Sequence, residues 1–232
     1  MVLWVIFQLA LLLAVLYIGI QYFYFFYTLF GAGDVTIPLF LAIVSTLFTS
    51  LFILALIHKI ARILMRNEVG ILTGWDRAMW GITMTSADTA YFIVNKLFIN
   101  QIYPAVFYKL FGAKLGKRVA IFTRLWDVEL MEIGNDTFIG TECIIGCHAI
   151  SQGELFRGRI TIGSNCTIGA GTIILPGVTI EDRVIVASNS VIPSNRVLKA
   201  NSIYAGSPVK RIRDWNGESV WEDPQKEKSS HS

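Results

Sequence analysis

The feature that most constrains this chain is a repeat of six residues in its C-terminal half. Aliphatic residues stand six apart in one row from Ile162, and the same phase runs upstream from Leu115 to Ile145, with Asp127 as a break. A period of six fits neither an α-helix nor the plain alternation of a strand. It is typical of a solenoid, in which each repeat makes one short strand and one corner and the stacked coils bury a continuous core. The downstream row comprises Ile162, Ile168, Ile174, Ile180, Val186, Ile192, Leu198 and Tyr204.

Two further columns keep the same phase. The residue after the aliphatic is often Gly or Ala, and the fourth residue after it is small or β-branched. With these columns the sequence resembles the hexapeptide-repeat transferases over residues from about 115 to 212. The resemblance implies a mainly β fold, a left-handed parallel β-helix, which we assign to residues 115–213. Cys143 and Cys166 occupy the small slot of their repeats, so we expect reduced, buried thiols and no metal site.

The N-terminal part of the chain has a different character. Val2 to Phe30 contains no charged residue and exceeds the roughly 20 residues that a membrane-spanning helix needs. A signal peptide would begin with a basic patch and have a shorter apolar run. Turn residues at Gly31–Asp34 separate this stretch from a second apolar stretch, Val35 to Ile57. We therefore predict an antiparallel transmembrane helical hairpin within residues 1–64.

Basic residues predict the orientation of this hairpin. The turn between the two spans has no Lys or Arg, whereas Lys59, Arg62 and Arg66 follow the second span. Because short cytoplasmic flanks carry an excess of Lys and Arg, both termini and the β-helix should be cytoplasmic. The chain is therefore predicted to be an integral protein of the cell membrane.

Residues 65–114 are interpreted as interfacial or linker helices. Their most apolar part, Met79 to Phe111, includes Asp88 and Lys96 and is interrupted by Pro104. Helices that lie at the membrane surface fit this composition, and a re-entrant or spanning segment is the alternative. Residues 214–232 form a polar tail, and we expect its part from Glu222 to Ser232 to be disordered. The net charge of +3, with no basic stripe of interleaved aromatic residues, gives no indication of nucleic-acid binding.

The repeat fails once, between Ile145 and Ile162. Residues 151–159 fit the template badly and are predicted to form a loop outside the coil, and functional residues concentrate on such loops. His148 lies just before it and is the one histidine of the predicted β-helix. The layout resembles that of galactoside-type and maltose-type hexapeptide acetyltransferases, in which the corresponding histidine is the general base. The resemblance implies that His148 deprotonates a hydroxyl or amine, which then attacks a thioester.

The residue that orients His148 is left open by the sequence. The resemblance implies a carboxylate or a backbone carbonyl, and an imidazole base generally has such a partner. The carboxylates within reach in sequence are Asp127, Glu129, Glu142 and Glu154.

The end of the repeat resembles the closing motif of the same family, an apolar pair, Ala-Gly-x-Pro and a basic residue, at residues 203–210. Val209 departs from the small residue that is usual there. The resemblance implies a homotrimer in which acetyl-CoA or another acyl-CoA lies in a groove between subunits. The small residues facing the donor would then be Gly169, Ala170 and Ala187, and the basic residues near its phosphates would be Lys210 and Arg213.

These patterns predict a membrane-anchored acyltransferase that modifies an acceptor close to the bilayer. The segment from Phe107 to Val119 also resembles the β-helix entry of the C-terminal domains of polylysine-synthase-type proteins. That resemblance keeps a peptide- or isopeptide-bond-forming domain with carrier-bound donors as an alternative. A non-catalytic trimeric membrane scaffold is another. A γ-class carbonic anhydrase is disfavoured because that fold binds zinc through three histidines, and this β-helix has one.

Overall fold

The computed structural model describes residues 2–30, 34–97 and 104–214. Residues 31–33 of the predicted turn and residues 215–232 of the predicted tail lie outside this range. The helices of the N-terminal half are α1 (Val2–Phe30), α2 (Thr36–Leu64), α3 (Gly74–Leu97) and α4 (Pro104–Leu110). The apolar region between residues 79 and 111 is therefore largely a pair of helices.

Helices α1 and α2 fit a transmembrane hairpin. Leu9–Phe30 and Thr36–Leu64 are each long and apolar enough to cross a membrane. The helices pack closely at Gly19, and the Tyr22 hydroxyl lies 2.8 Å from the Thr49 hydroxyl. Helix α2 extends to Leu64, beyond the predicted end of the span at Ile57. The extension has a physical reason, because His58 and Ala61 are buried by neighbouring elements instead of facing water.

The strands are short, mostly of two or three residues, as a six-residue repeat requires. A 3₁₀ turn, Val128–Leu130, interrupts them. The strands are β1 (Gly70–Leu72), β2 (Lys114–Leu115), β3 (Ala120–Ile121), β4 (Leu125–Trp126), β5 (Met131–Ile133), β6 (Phe138–Ile139), β7 (Ile144–Gly146), β8 (His148–Ser151), β9 (Glu154–Arg157), β10 (Ile160–Ile162), β11 (Thr167–Ile168), β12 (Ile173–Ile174), β13 (Thr179–Ile180), β14 (Val184–Val186), β15 (Val191–Ile192), β16 (Val197–Leu198), β17 (Ser202–Ala205) and β18 (Lys210–Asp214).

Most of these strands form three parallel sheets that wind as a β-solenoid of about five turns. The strand orders are β16-β13-β10-β5-β2, β18-β17-β14-β11-β6-β3 and β15-β12-β7-β4. Strand β18 pairs with β17 in antiparallel fashion and ends the longest sheet. The predicted mainly β fold is confirmed, while its left-handed winding remains a prediction.

The aliphatic row of the repeat forms the core of the solenoid. From Ile162 to Leu198 every member of the row is 2% exposed or less, and all three cysteines are buried. Leu54 of α2 and Ala90 of α3 belong to the same core cluster. The helices therefore contact the solenoid directly and share its core.

The break in the repeat is an ordered β-hairpin. Strands β8 and β9 pair in antiparallel fashion, and Gln152 and Gly153 both have positive φ at the turn between them. Positive φ at both central residues is the geometry of a two-residue hairpin turn. Strand β1 pairs with β9, so the hairpin joins the chain that leaves α2. The predicted loop is thus a hairpin, held by a strand that the six-residue pattern does not include.

Candidate functional site

His148 and Asp127 form a hydrogen-bonded pair at the base of the hairpin. His148 Nδ1 lies 2.5 Å from Asp127 Oδ2. The Asp127 side chain is fully buried, whereas the His148 side chain is 23% exposed. Among the hydrogen bonds of the described residues, none involves His148 Nε2. With Nδ1 held by a carboxylate, the ring presents Nε2 as the nitrogen that can accept a proton.

The Asp127 carboxylate accepts three hydrogen bonds in all. Its Oδ1 accepts hydrogen bonds from Trp80 Nε1 at 2.7 Å and from an Arg157 guanidinium nitrogen at 3.2 Å. Burial alone would raise the pKa of the Asp127 carboxyl, but the bond to His148 and the charge of Arg157 outweigh it, so this pKa lies below its ordinary value. Asp127 is therefore a carboxylate at neutral pH and fixes the orientation of the imidazole.

Trp80 also contacts the imidazole itself. The ring centroids of Trp80 and His148 are 5.1 Å apart in an edge-to-face arrangement. Trp80 belongs to α3, so a helix outside the repeat supplies one wall of the site. The indole both donates to Asp127 and limits the movement of the ring that Asp127 orients.

A second layer of buried charge lies behind Asp127. Arg157 also donates to Glu129 Oε1 at 2.5 Å, and Glu129 Oε2 lies 3.6 Å from Nε2 of His58. The side chains of Arg157, Glu129 and His58 are between 1% and 3% exposed. The 3₁₀ turn, the hairpin and α2 therefore meet in one buried polar network.

A partly exposed polar cluster lies next to the imidazole. Arg124 forms an ion pair with Asp88 of α3, and its guanidinium lies 3.8 Å from the centroid of Trp126 and 4.8 Å from that of Tyr91. Burial raises the pKa of the Asp88 carboxyl above its ordinary value, and the charge of Arg124 offsets part of the rise. Asp88 is also near enough to His148 for their charges to interact. This cluster combines donors, acceptors and flat rings in the neighbourhood of His148.

Of the four carboxylates that the sequence offered as partners, only Asp127 bonds to His148. Glu129 lies one layer behind it. Glu142 is exposed at a corner with a φ of 58°, and Glu154 is exposed on β9, where it pairs with Ser151. In the sequence, Asp127 differs from the other three carboxylates because it occupies a position of the aliphatic row.

The residues predicted to face coenzyme A lie along one sheet. Gly169 and Ala187 follow paired strands, and Ala205, which continues this column, pairs with Lys210. Arg213 pairs with Ile203, three residues along β18, and Ala170 is exposed at the corner. A methyl group at Gly169 would lie 2.4 Å from the backbone nitrogen of Ser188, so stacking of the coils already requires this glycine. The assignment of these five residues to coenzyme A remains a prediction.

Sequence reasoning missed the Asp88–Arg124 pair. It also missed three residues linked to Asp127 through the polar network, namely His58, Trp80 and Arg157. Each lies far from Asp127 in sequence and outside the aliphatic row, so the repeat gave no information on them. The one sequence signal for Arg157 was that it is a charged residue within residues 151–159, the segment that fits the repeat badly. Within the residues described, no group of three His, Cys, Asp or Glu side chains could hold a metal ion, and the expectation of a metal-free site stays a prediction.

Three comparisons place the chain among known proteins. Residues 159–194 match the model of the bacterial transferase hexapeptide family (six repeats). No curated protein gives a significant match. Many solved structures are similar to the chain.

A hexapeptide-repeat acetyltransferase from Vibrio cholerae, VCA0836, is 20% identical, covers 62% of this chain and 95% of its own, and has a TM-score of 0.47. A maltose O-acetyltransferase from Clostridium difficile 630 is 18% identical, with 59% and 88% coverage and a TM-score of 0.42. A galactoside acetyltransferase in complex with coenzyme A is 20% identical, with 62% and 88% coverage and a TM-score of 0.44. Similarity at this level assigns no function and no site residue to this chain.

The matched residues begin just after the hairpin and run through β15, within the part where the six-residue row is unbroken. The family description agrees with the resemblance that the sequence pattern indicated. Residues 159–194 therefore consist of hexapeptide repeats of the bacterial transferase type.

Proposed function

We propose that this protein is a membrane-anchored acyltransferase that moves an acyl group, most simply acetyl, from coenzyme A to a hydroxyl or amine of an acceptor at the membrane. The observation that carries the proposal is the pair formed by His148, at the base of the hairpin that interrupts the repeat, and Asp127, which interrupts the aliphatic row. A buried carboxylate on Nδ1 and a free Nε2 are what a general base requires. The match of residues 159–194 to a transferase repeat supports the same class of reaction.

The chemistry follows from the imidazole. His148 Nε2 accepts the proton of the acceptor hydroxyl or amine while the acceptor atom attacks the thioester carbonyl carbon. Asp127 stabilises the imidazolium that forms. When the tetrahedral intermediate collapses, the carbon–sulfur bond breaks and the imidazolium returns its proton to the departing thiolate. The products are the acylated acceptor and free coenzyme A, and His148 is again neutral.

The acceptor would approach between α3 and the solenoid. The Asp88–Arg124 pair there is partly exposed, and such pairs contribute little to stability, about 0–1 kcal/mol. Its guanidinium is held against two rings, so its remaining donors keep a set direction. We assign these two side chains to binding the acceptor.

Anchoring in the membrane is part of the proposal. Helices α1 and α2 would form the anchor, with Lys59, Arg62 and Arg66 on the cytoplasmic side. The site contacts α2 near its C-terminal end through His58, which would bring the reaction close to the bilayer surface. A trimeric assembly, with coenzyme A held between subunits, is proposed from the family resemblance alone.

The test is calorimetry with full-length protein in detergent and acetyl-CoA as the ligand. We expect micromolar binding both to the wild type and to His148→Ala, because the base serves the chemical step and not the affinity. Transfer of radiolabelled acetyl to a membrane-lipid extract should fall by about 10²–10⁴-fold in His148→Ala, the usual contribution of a general base.

Ile150→Ala is the matched control, since Ile150 is an exposed residue on the same strand. It should keep both binding and transfer. If neither acetyl-CoA nor a longer acyl-CoA binds the wild type, the donor assignment fails, and the scaffold or carrier-dependent alternatives take its place.

A further inference from the structure

A second histidine–carboxylate pair lies behind the first. His58 Nε2 and Glu129 Oε2 are 3.6 Å apart, and Arg157 donates both to Glu129 and to Asp127. The order His148, Asp127, Arg157, Glu129, His58 therefore runs from the exposed imidazole to the second apolar helix. The inner pair has no role in the reaction proposed above.

The hydrogen bonds of His58 fix one of its protons. His58 Nδ1 lies 3.1 Å from the carbonyl oxygen of Thr83, and a carbonyl oxygen can only accept. The hydroxyl of Ser86 donates its own hydrogen to the same oxygen, at 2.9 Å. The Ser86 oxygen also lies 3.4 Å from Nδ1 and, with its hydrogen directed at Thr83, can only accept there. We therefore assign the hydrogen to Nδ1, which leaves Nε2 of a neutral ring with only its lone pair.

That lone pair would face a carboxylate. Within the described residues Nε2 of His58 has no hydrogen-bond partner, and the nearest acidic oxygen is Oε2 of Glu129. Both side chains are at most 3% exposed, so water does not screen them. Two lone pairs facing each other in such a place repel, and one proton between them turns the contact into an attraction.

The net charge of the buried network also favours one proton on the His58–Glu129 pair. Asp127 and Glu129 are two buried carboxylates, and Arg157 is the one guanidinium that contacts both. With neutral histidines this buried group would carry one uncompensated negative charge, which is costly in a medium of low dielectric constant. One additional proton brings the group to neutrality.

We infer that His58 and Glu129 hold one proton between them, which makes them positioning residues that leave His148 free to act as a base. The inference rests on the proposed function. Without that proton, the buried network behind the base would carry a net negative charge, and such a charge favours the protonated form of a neighbouring imidazole, which cannot accept a proton. The titratable or charged groups that surround the pair and its outer partner are Arg62, Glu68, Asp88, Arg124, Asp127, Cys147, His148 and Arg157.

The test follows the ring titration of His148 by NMR, in full-length protein in detergent with labelled histidine and without any substrate. In His58→Gln, Glu129 loses the partner that holds the proton, so the network gains a negative charge. The midpoint of the His148 titration should then rise by about one pH unit, the order expected for one unbalanced nearby charge.

Glu129→Gln is the decisive counterpart. Its amide can donate to His58 and accept from Arg157, which imitates the protonated pair at the same net charge. The His148 midpoint should therefore stay where it is in the wild type. If no proton is held, the result is reversed: His58→Gln has no effect and Glu129→Gln lowers the midpoint. That pattern, or equal behaviour of both variants, overturns the inference.

A measurement on the wild type does not depend on the folding of either variant. The nitrogen-15 signal of His58 Nε2 separates a nitrogen that bears or accepts a hydrogen from a bare lone pair. A bare lone pair at neutral pH overturns the inference. Neither the His148 titration nor the His58 nitrogen-15 signal requires coenzyme A. An absence of acetyl-CoA binding would therefore contradict the proposed function without changing the outcome of these two measurements.

Discussion

At the scale of single residues, Asp127 has the most demanding position in the site. It interrupts the aliphatic row, the whole residue including its backbone is 5% exposed, and its φ is 53°. Asp is among the non-glycine residues that tolerate this left-handed region, because its short side chain bonds locally. Three donors satisfy its carboxylate. At position 127 of the aliphatic row, a buried charge thus takes the place of an apolar side chain.

Asp127→Asn tests this account through the pH dependence of stability. The pKa of Asp127 is lowered in the folded protein, so its ionisation stabilises the fold above its unfolded value of about 3.9 and this contribution is lost as the pH falls through the folded pKa. Because Arg157 also loses a buried partner, Asn should cost about 3–5 kcal/mol at pH 7.

Thermal unfolding between pH 3 and pH 7 measures the difference between the two proteins, which should shrink as the pH falls below about 4. A difference that stays constant over this range would contradict the account. Glu142→Gln, at an exposed corner with positive φ, is the control and should change stability by less than about 0.5 kcal/mol.

At the scale of elements, neighbouring coils of the solenoid approach so closely at certain corners that a residue there has no room for a side chain. A methyl group added at Gly169 would meet the backbone nitrogen of Ser188 at 2.4 Å, and backbone of the next coil cannot move away freely. The short strands bring these corners into register, since Ile168 pairs with Val186. The glycine column of the repeat is therefore a consequence of stacking.

Gly169→Ala should destabilise the protein by about 1–3 kcal/mol, as overpacking of a close contact does. The matched control is Gly81→Ala in α3, where a methyl group meets nothing within 4 Å. That change should stabilise the helix by up to about 1 kcal/mol. Denaturant or thermal unfolding without any ligand measures both effects. A neutral Gly169→Ala would mean that the coils are not stacked in this register.

At the scale of the whole molecule, the helices and the solenoid form one structure. Leu54 and Ala90 lie in the core cluster of the solenoid, and β1 pairs with the hairpin that carries His148. Trp80 and His58 complete the site from α3 and α2. The helical region therefore builds the site in addition to carrying the proposed anchor.

The proposed orientation can be tested with Ser194→Cys. Ser194 is exposed on the solenoid, whereas all three native cysteines are buried. Burial also raises the pKa of the Cys147 thiol, so it stays protonated and unreactive at neutral pH. A membrane-impermeant maleimide should label Ser194→Cys in inverted vesicles and leave right-side-out vesicles unlabelled. The wild type is the control for background, and labelling from the outside would reverse the orientation.

The sequence by itself determined the solenoid and the two apolar helices. Both depend on periodicity and composition along the chain: an aliphatic residue every sixth position, and two long stretches nearly free of charge. It also indicated His148, and it offered Asp127 as one of four carboxylates that could orient the imidazole, without choosing among them. Such features are local, so a linear pattern records them.

Only the tertiary structure decided which side chains surround that pair. Trp80, Arg157 and His58 reach the site from elements 47, 30 and more residues away from Asp127 in sequence. Strand β1 pairs with the hairpin that carries Arg157, and no repeat predicts that pairing. Contacts of this kind follow from how separate elements pack, and the period of a single element carries no information about them.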